Sequence, residues 1–235
     1  MTTTSVETEL TELRRVLRDV EGWLTDEEAE TLFALARDCT GKGAIVELGS
    51  WKGRSTICLG LGSKAGPQAP VYAVDRPRGE IYEAFERNIR RAGIEDLVRP
   101  VNSSSEDAAR DFDWPIELLF IDASHKYDLV QLDWNLWVPK LVDGGVLAMH
   151  DTTWFDGPKR VAEERMYRST GFKDVRFVFS STTVGTKVNA NTRVERARNR
   201  YSLLVKNGFE LAAKAKGRIP KPVEAAGRKI LRTIQ

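Results

Sequence analysis

Four short apolar runs stand out in the middle of the chain: AIVELG from Ala44, VYAVD from Val71, ELLFID over 117–122 and GVLAMHD over 145–151. Each is rich in Val, Ile, Leu or Phe and closes on or beside a glycine or an acidic residue. Runs of this length without polar alternation predict strands covered on both faces, as in a parallel sheet. Segments of helical character fit between them, over 54–62, 79–92 and 127–141. Strand alternating with helix predicts a doubly wound, mostly parallel α/β sheet. Right-handed crossovers bring the strand C-termini to one rim, where such sheets bind ligands. Glu47, Asp75, Asp122 and Asp151 all fall at or near those strand ends.

The flanks read differently. Val6, Leu10, Leu13, Val16 and Leu17 recur at helical spacing and predict an amphipathic helix over 6–20. Thr25 followed by Glu28 is a capping-box pattern that starts a second helix, with Leu32, Phe33 and Ala36 on its buried face. Near the other end, VRFVFSS at 175–181 and YSLLV at 201–205 read as strands, and the Arg-rich stretch 189–200 as an exposed or partly disordered loop. The expected organisation is a helical cap and oligomerisation segment over 1–40, a main domain over 41–206 and a basic helical tail over 207–235.

Composition narrows the class. The chain of 235 residues is 41% hydrophobic and 30% charged, enough to bury one sizeable core. No apolar run approaches the ~18 residues of a membrane span, and the N-terminus lacks a signal-peptide pattern. Two cysteines, Cys39 and Cys58, make neither a disulfide framework nor a zinc cluster, which fits a cytoplasmic setting. A net charge of +2 does not imply nucleic-acid binding. The charge is uneven, however. Residues 206–235 hold eight Lys or Arg against two Glu, leaving the rest mildly acidic. The tail reads as a solvated helix, with a weak contact to an anionic surface as the sharper alternative.

The segment VELGSWKGRST places Gly49 and Gly53 between a strand and a helix. Glycine there permits positive φ and close approach of a ligand. The free N–H groups of the helix start, with Ser55 and Thr56, suit an anion or carboxylate. The spacing is neither Gly-x-Gly-x-x-Gly nor a P-loop. Asp75 ends the next strand, where a carboxylate can accept from both hydroxyls of a ribose. Asp122 and Asp151 end neighbouring strands, so their carboxylates can converge on a hard cation such as Mg²⁺. Both histidines of the chain, His125 and His150, fall at the same rim.

VELGSWKGRST, VYAVD, FIDASHKYDLVQLDW and LVDGGVLAMHDT together resemble the class I S-adenosylmethionine (SAM) methyltransferases, and within them the macrocin-type O-methyltransferases of methyltransferase family 24. The resemblance covers about residues 22–185 and implies a Rossmann-like, seven-stranded sheet with N-terminal helices. It implies SAM at Glu47, Gly49, Ser50, Gly53 and Ser55, with Asp75 on the ribose, Ser104 near the adenine and Asp122 close by. Methyl transfer to an alcohol needs the oxygen deprotonated, which a cation assists and a base completes. His125 stands where the catechol-type relatives carry their catalytic Lys, and is expected to be the base, with Asp122 beside it in catalysis. Asp122, Asp151 and Thr152 are the expected metal set, with Thr152 departing from the carboxamide of the catechol type.

Trp154 is the expected acceptor wall, and His150 a neighbour of the substrate. With the macrocin-type resemblance, this points to a hydroxyl of a sugar, glycoside or polysaccharide precursor. The alternatives are a phenolic or other natural-product hydroxyl, or a non-catalytic SAM-binding partner of a hydroxylase. The missing Gly-x-Gly-x-x-Gly disfavours a nicotinamide dehydrogenase. The apolar stripes of 6–37 need burial, inside the chain or in a homodimer, and a homodimer is expected.

Overall fold

A computed structural model describes residues 3–216 of the chain. Most of the basic tail read from the sequence therefore lies outside the described residues.

Two helices, α1 (Thr3–Leu17) and α2 (Asp26–Arg37), precede β1 (Ala44–Leu48). Then follow α3 (Arg54–Ala65), β2 (Val71–Asp75), α4 (Glu80–Ala92), β3 (Val98–Asn102), α5 (Ser105–Asp111) and β4 (Ile116–Ile121). The second half holds α6 (Tyr127–Trp137), β5 (Leu141–Met149), α7 (Asp156–Ala162), β6 (Phe172–Val178), β7 (Thr182–Lys187) and α8 (Arg193–Lys216). The sheet has seven strands in the order β3-β2-β1-β4-β5-β7-β6. The first five run parallel, and β7 pairs antiparallel with both β5 and β6. Strand order reverses between β1 and β4, and the crevice beyond their C-terminal ends is the expected ligand site of such a sheet.

The apolar strands divide their side chains between two core layers. Ile45, Val71, Leu118 and Phe120 pack with Leu13, Leu32, Phe33 and Ile57 on one side. Val46, Leu48, Leu119 and Ile121 pack with Trp137, Leu141 and Tyr167 on the other. Burying each such side chain is worth roughly 1.5–3 kcal/mol. The apolar stripe of α1 and α2 is thus buried in the chain's own core, where Leu13, Leu32 and Ala36 are fully inaccessible. Its burial does not require a second copy.

The start of α2 is as the sequence predicts. Glu28 N–H donates to Thr25 Oγ1 at 3.3 Å, and Thr25 N–H donates to Glu28 Oε2 at 2.9 Å. The C-terminal reading needs correction: YSLLV and much of the Arg-rich stretch before it form one helix, α8. Asn199, Ser202, Leu203, Lys206 and Glu210 are buried at helical spacing, a period that a five-residue window hides. A second capping box starts it, with Glu195 N–H donating to Thr192 Oγ1 and Thr192 N–H to Glu195 Oε2. The helix runs unbroken through residue 207, where the tail was expected to begin.

Candidate active site

At the end of β1 the chain turns sharply past the end of β4. Gly49 N–H donates to Val74 O and Asp122 N–H to Leu48 O, each at 2.9 Å. Gly49 has φ +88, and a Cβ there would lie 2.3 Å from the Asp122 carbonyl oxygen, so only glycine fits. Gly53, with φ +86, brings the loop into α3. Asp75 holds this loop. Its Oδ2 accepts from the N–H groups of Ser50 at 2.9 Å and Trp51 at 2.7 Å, and its Oδ1 accepts from Arg76 N–H.

A cavity of about 890 Å³ opens over this turn, in the size range of cofactor sites. Its lining includes Ser50, Trp51, Arg54 and Ser55 of the turn and helix start, with Asp75, Arg76 and Ser103–Ser105 from the neighbouring strand ends. The Arg54 guanidinium donates to the carbonyls of Leu17 and Val20, drawing the segment after α1 toward the loop. Trp23 follows, its ring 4.6 Å from that of Trp51, and it too lines the cavity. Ser104 caps α5, accepting from Asp107 N–H at 3.0 Å. Its neighbour Ser105 donates to Asp133 Oδ1 and receives Trp137 Nε1–H. Asp133 is therefore a buried anchor of the wall.

Glu47 and Gly53 do not line the cavity. Glu47 is completely buried under the glycine turn, where its Oε2 accepts from Thr56 Oγ1. Burial pushes its carboxyl up to about 8, against the pull of the Ser55 and Thr56 hydroxyls.

Four titratable side chains meet at the ends of β4 and β5. His125 Nε2 lies 2.7 Å from Asp151 Oδ2, and its ring stacks on Phe155 at 3.7 Å. Asp151 takes φ +60, a left-handed conformation rare outside glycine and asparagine. His150 is buried, its Nδ1 3.3 Å from Asp122 Oδ1 and 3.4 Å from Asp151 Oδ1. Its Nε2 faces Glu28 Oε1 at 3.6 Å. Burial opposes charge on His150, but Asp122, Asp151 and Glu28 outweigh it and push the imidazole up to about 12. Burial raises Asp122, while His150 and His125 outweigh burial at Asp151 and hold it below its ordinary value.

Glu28 is a site residue that the sequence disguised as a helix cap. Its Oε2 serves the capping box, while Oε1 accepts from Ser181 N–H and Thr182 Oγ1, both at 2.9 Å. The expected metal ligand Thr152 is turned away. It is fully buried, with its hydroxyl bonded to Ser181 O and Thr183 Oγ1, each at 2.8 Å. Asp122, His150 and Asp151 instead each bring one ligand atom within 4.8 Å of the others, a group that could hold a metal ion. Both ring nitrogens of His150 are buried without a hydrogen-bond partner of good geometry. The donor set fits a divalent cation at Nδ1, which on binding would displace the proton that His150 otherwise holds there, with Glu28 behind Nε2 in the manner of carboxylate-oriented metal histidines. Trp154, about half exposed, lines the cavity beside Phe155.

Residues 46–152 match methyltransferase family 24, a methyltransferase-domain family. An uncharacterised protein, y4gI of Sinorhizobium fredii, is 30% identical over 119 residues, which are 46% of this chain but only 13% of that protein. The solved O-methyltransferase NovP superposes with a TM-score of 0.64 at 16% identity, covering 80% of this chain and 99% of its own. The O-methyltransferase TomG of Streptomyces achromogenes, involved in tomaymycin synthesis and solved with SAM, gives 0.57 at 16% identity over 80% and 92%. A putative caffeoyl-CoA O-methyltransferase of Staphylococcus aureus gives 0.57 at 16% identity over 78% and 92%. The family match spans the glycine turn, Asp75, Asp122 and Asp151, and the chain shares the fold of these solved proteins along most of its length.

Proposed function

We propose that the protein transfers the methyl group of SAM to a hydroxyl oxygen of a small acceptor. A sugar or glycoside hydroxyl is the favoured acceptor, and a phenolic hydroxyl the alternative. The observation that carries the reading is the His125–Asp151 pair opening into the same cavity as the glycine turn and Asp75. The shared fold with the O-methyltransferases NovP and TomG and the putative caffeoyl-CoA O-methyltransferase supports it.

SAM supplies an electrophilic methyl on a sulfonium, and the protein's task is to hold it in line with a deprotonated oxygen. The N-terminal end of α3 offers backbone N–H groups and Ser55 to the methionyl carboxylate. Asp75 would accept from the ribose hydroxyls, and Ser103–Ser105 would border the adenine. Asp151 orients the His125 imidazole through Nε2, which leaves Nδ1 to take the acceptor's proton. Phe155 holds the ring plane by stacking. Trp154 offers an aromatic face on which a sugar or phenol packs.

Asp122, Asp151 and His150 would hold a divalent cation, which when bound would stabilise negative charge on the acceptor oxygen. A set of two carboxylates and an imidazole leans from Mg²⁺ toward Mn²⁺ or Fe²⁺. Calorimetry with SAM, followed by methyl-transfer assays on sugar and phenolic panels with and without chelator, tests the reading. Absence of SAM binding would overturn it.

A further inference from the structure

We propose that the outward face of α8 docks the protein onto an anionic lipid surface. The helix is apolar on two opposite sides. One side, carrying Leu203 beside Asn199, Ser202, Lys206 and Glu210, is buried against the fold. Diametrically across it, Val194, Tyr201, Leu204 and Leu211 are 61%, 52%, 68% and 71% exposed. Ala197 and Gly208, also exposed, complete a stripe whose positions alternate by three and four. A surface helix ordinarily presents polar residues there, so this stripe is built to be covered.

Charge indicates what covers it. Arg193, Arg198 and Arg200 flank the stripe and are exposed, as is Lys214. Among the described residues of α8 only two are acidic: Glu195, held by the Thr192 cap, offsets Arg198 in part, and Glu210 is buried between Lys159 and Lys206. An apolar stripe bordered mainly by cations is the pattern of a helix lying in a lipid headgroup layer, with the aliphatic stems of arginine following the apolar face and their heads meeting phosphate. The sequence beyond α8 continues the trend with Arg218, Lys221, Arg228, Lys229 and Arg232 against Glu224. A second copy of α8 would instead set arginine rows near one another with only Glu195 of each helix to offset them.

Full-length protein is incubated with phosphatidylcholine vesicles, with and without phosphatidylglycerol, and the bound fraction is read by flotation. We expect binding to the anionic vesicles only, weakened by salt. The Leu204→Asp/Leu211→Asp variant should lose about tenfold or more in vesicle affinity, since both changes remove buried apolar contact. Arg198→Glu/Arg200→Glu should weaken it as well. SAM affinity and melting temperature should stay unchanged, because these side chains lie outside the cavity and the core. Three results would overturn the proposal: no binding to anionic vesicles, undiminished binding by the leucine variant, or a dimer in light scattering that the leucine variant dissociates. The second would assign the lipid contact to the tail alone, and the third would assign the stripe to a second copy.

Discussion

Asp151 Oδ2 sits 2.7 Å from His125 Nε2 while its Oδ1 faces His150 Nδ1 at 3.4 Å. One carboxylate thus orients an exposed imidazole and faces a buried one. The exposed imidazole is the group that can reach an acceptor. His125→Gln should lower kcat by roughly 10²–10⁴-fold, the usual contribution of a positioned general base. SAM affinity should be unchanged, as the groups expected to hold SAM are the glycine turn and Asp75 rather than His125. Asp151→Asn should lower kcat in the same direction. Equal turnover of wild type and His125→Gln, measured with saturating SAM, would remove the imidazole from proton transfer.

Asp75 organises the glycine turn before any ligand arrives, because two loop amides already donate to its Oδ2. Asp75→Ala removes the acceptor for these amides and the partner expected for the ribose. A charged hydrogen bond of this kind is worth about 1.5–3 kcal/mol, so SAM affinity should fall roughly 10–150-fold. Titration calorimetry reads the loss, and a melting curve shows that the fold survives. Undiminished affinity would take Asp75 out of the binding site.

The parallel half of the sheet was legible because its central strands are continuously apolar and end on Gly49, Asp75, Asp122 and Asp151. Edge strand β3 was not, since VRPVN exposes most of its side chains and gives no apolar signal. β7 carries threonines and a glycine in TTVGTK, which read as loop until β5 and β6 cover them. Helix α8 hid because its buried positions are largely polar: Asn199, Ser202, Lys206 and Glu210. Asn199 reaches into β6, its Oδ1 accepting Val175 N–H and its Nδ2 donating to Phe172 O. In the site, chain position identified the residues at strand ends. It could not show that Thr152 points into the β5–β7 seam, nor that a cap residue from α2 reaches His150. Those depend on side-chain direction and on contacts far apart in sequence.

Glu28 joins α2, the Ser181–Thr182 turn and His150. His150 and the Thr25 hydrogen bonds hold its carboxyl below the ordinary value even though burial alone would raise it. Glu28→Ala leaves two buried donors and a buried imidazole without their acceptor. A change of this kind costs on the order of 3–5 kcal/mol. Glu28→Gln keeps an amide oxygen for Ser181 and should lose less stability, yet still alter the pH dependence of kcat by removing one negative charge behind His150. Denaturant melts compare the two, and a pH–rate profile of the Gln variant matching wild type would limit Glu28 to the fold.

Glu47 makes a test in pH of what lies beneath the glycine turn. Its carboxyl is raised from an ordinary 4.5 to about 8, by burial first, with Asp122 and Asp75 adding to it. The folded state therefore binds a proton that the unfolded chain has already released between those two values. The associated stability is complete below about 4.5, declines as pH rises, and is gone once pH passes about 8. Glu47→Gln carries no such proton and keeps an amide oxygen for the Thr56 hydroxyl. Relative to wild type, the variant should gain stability steadily from pH 5 to pH 8 and hold a constant difference above that range. Urea unfolding of both proteins across the interval measures this gain. A difference independent of pH would mean that Glu47 ionises alike in the folded and unfolded chain, with the carboxylate solvated through the turn rather than sealed under it.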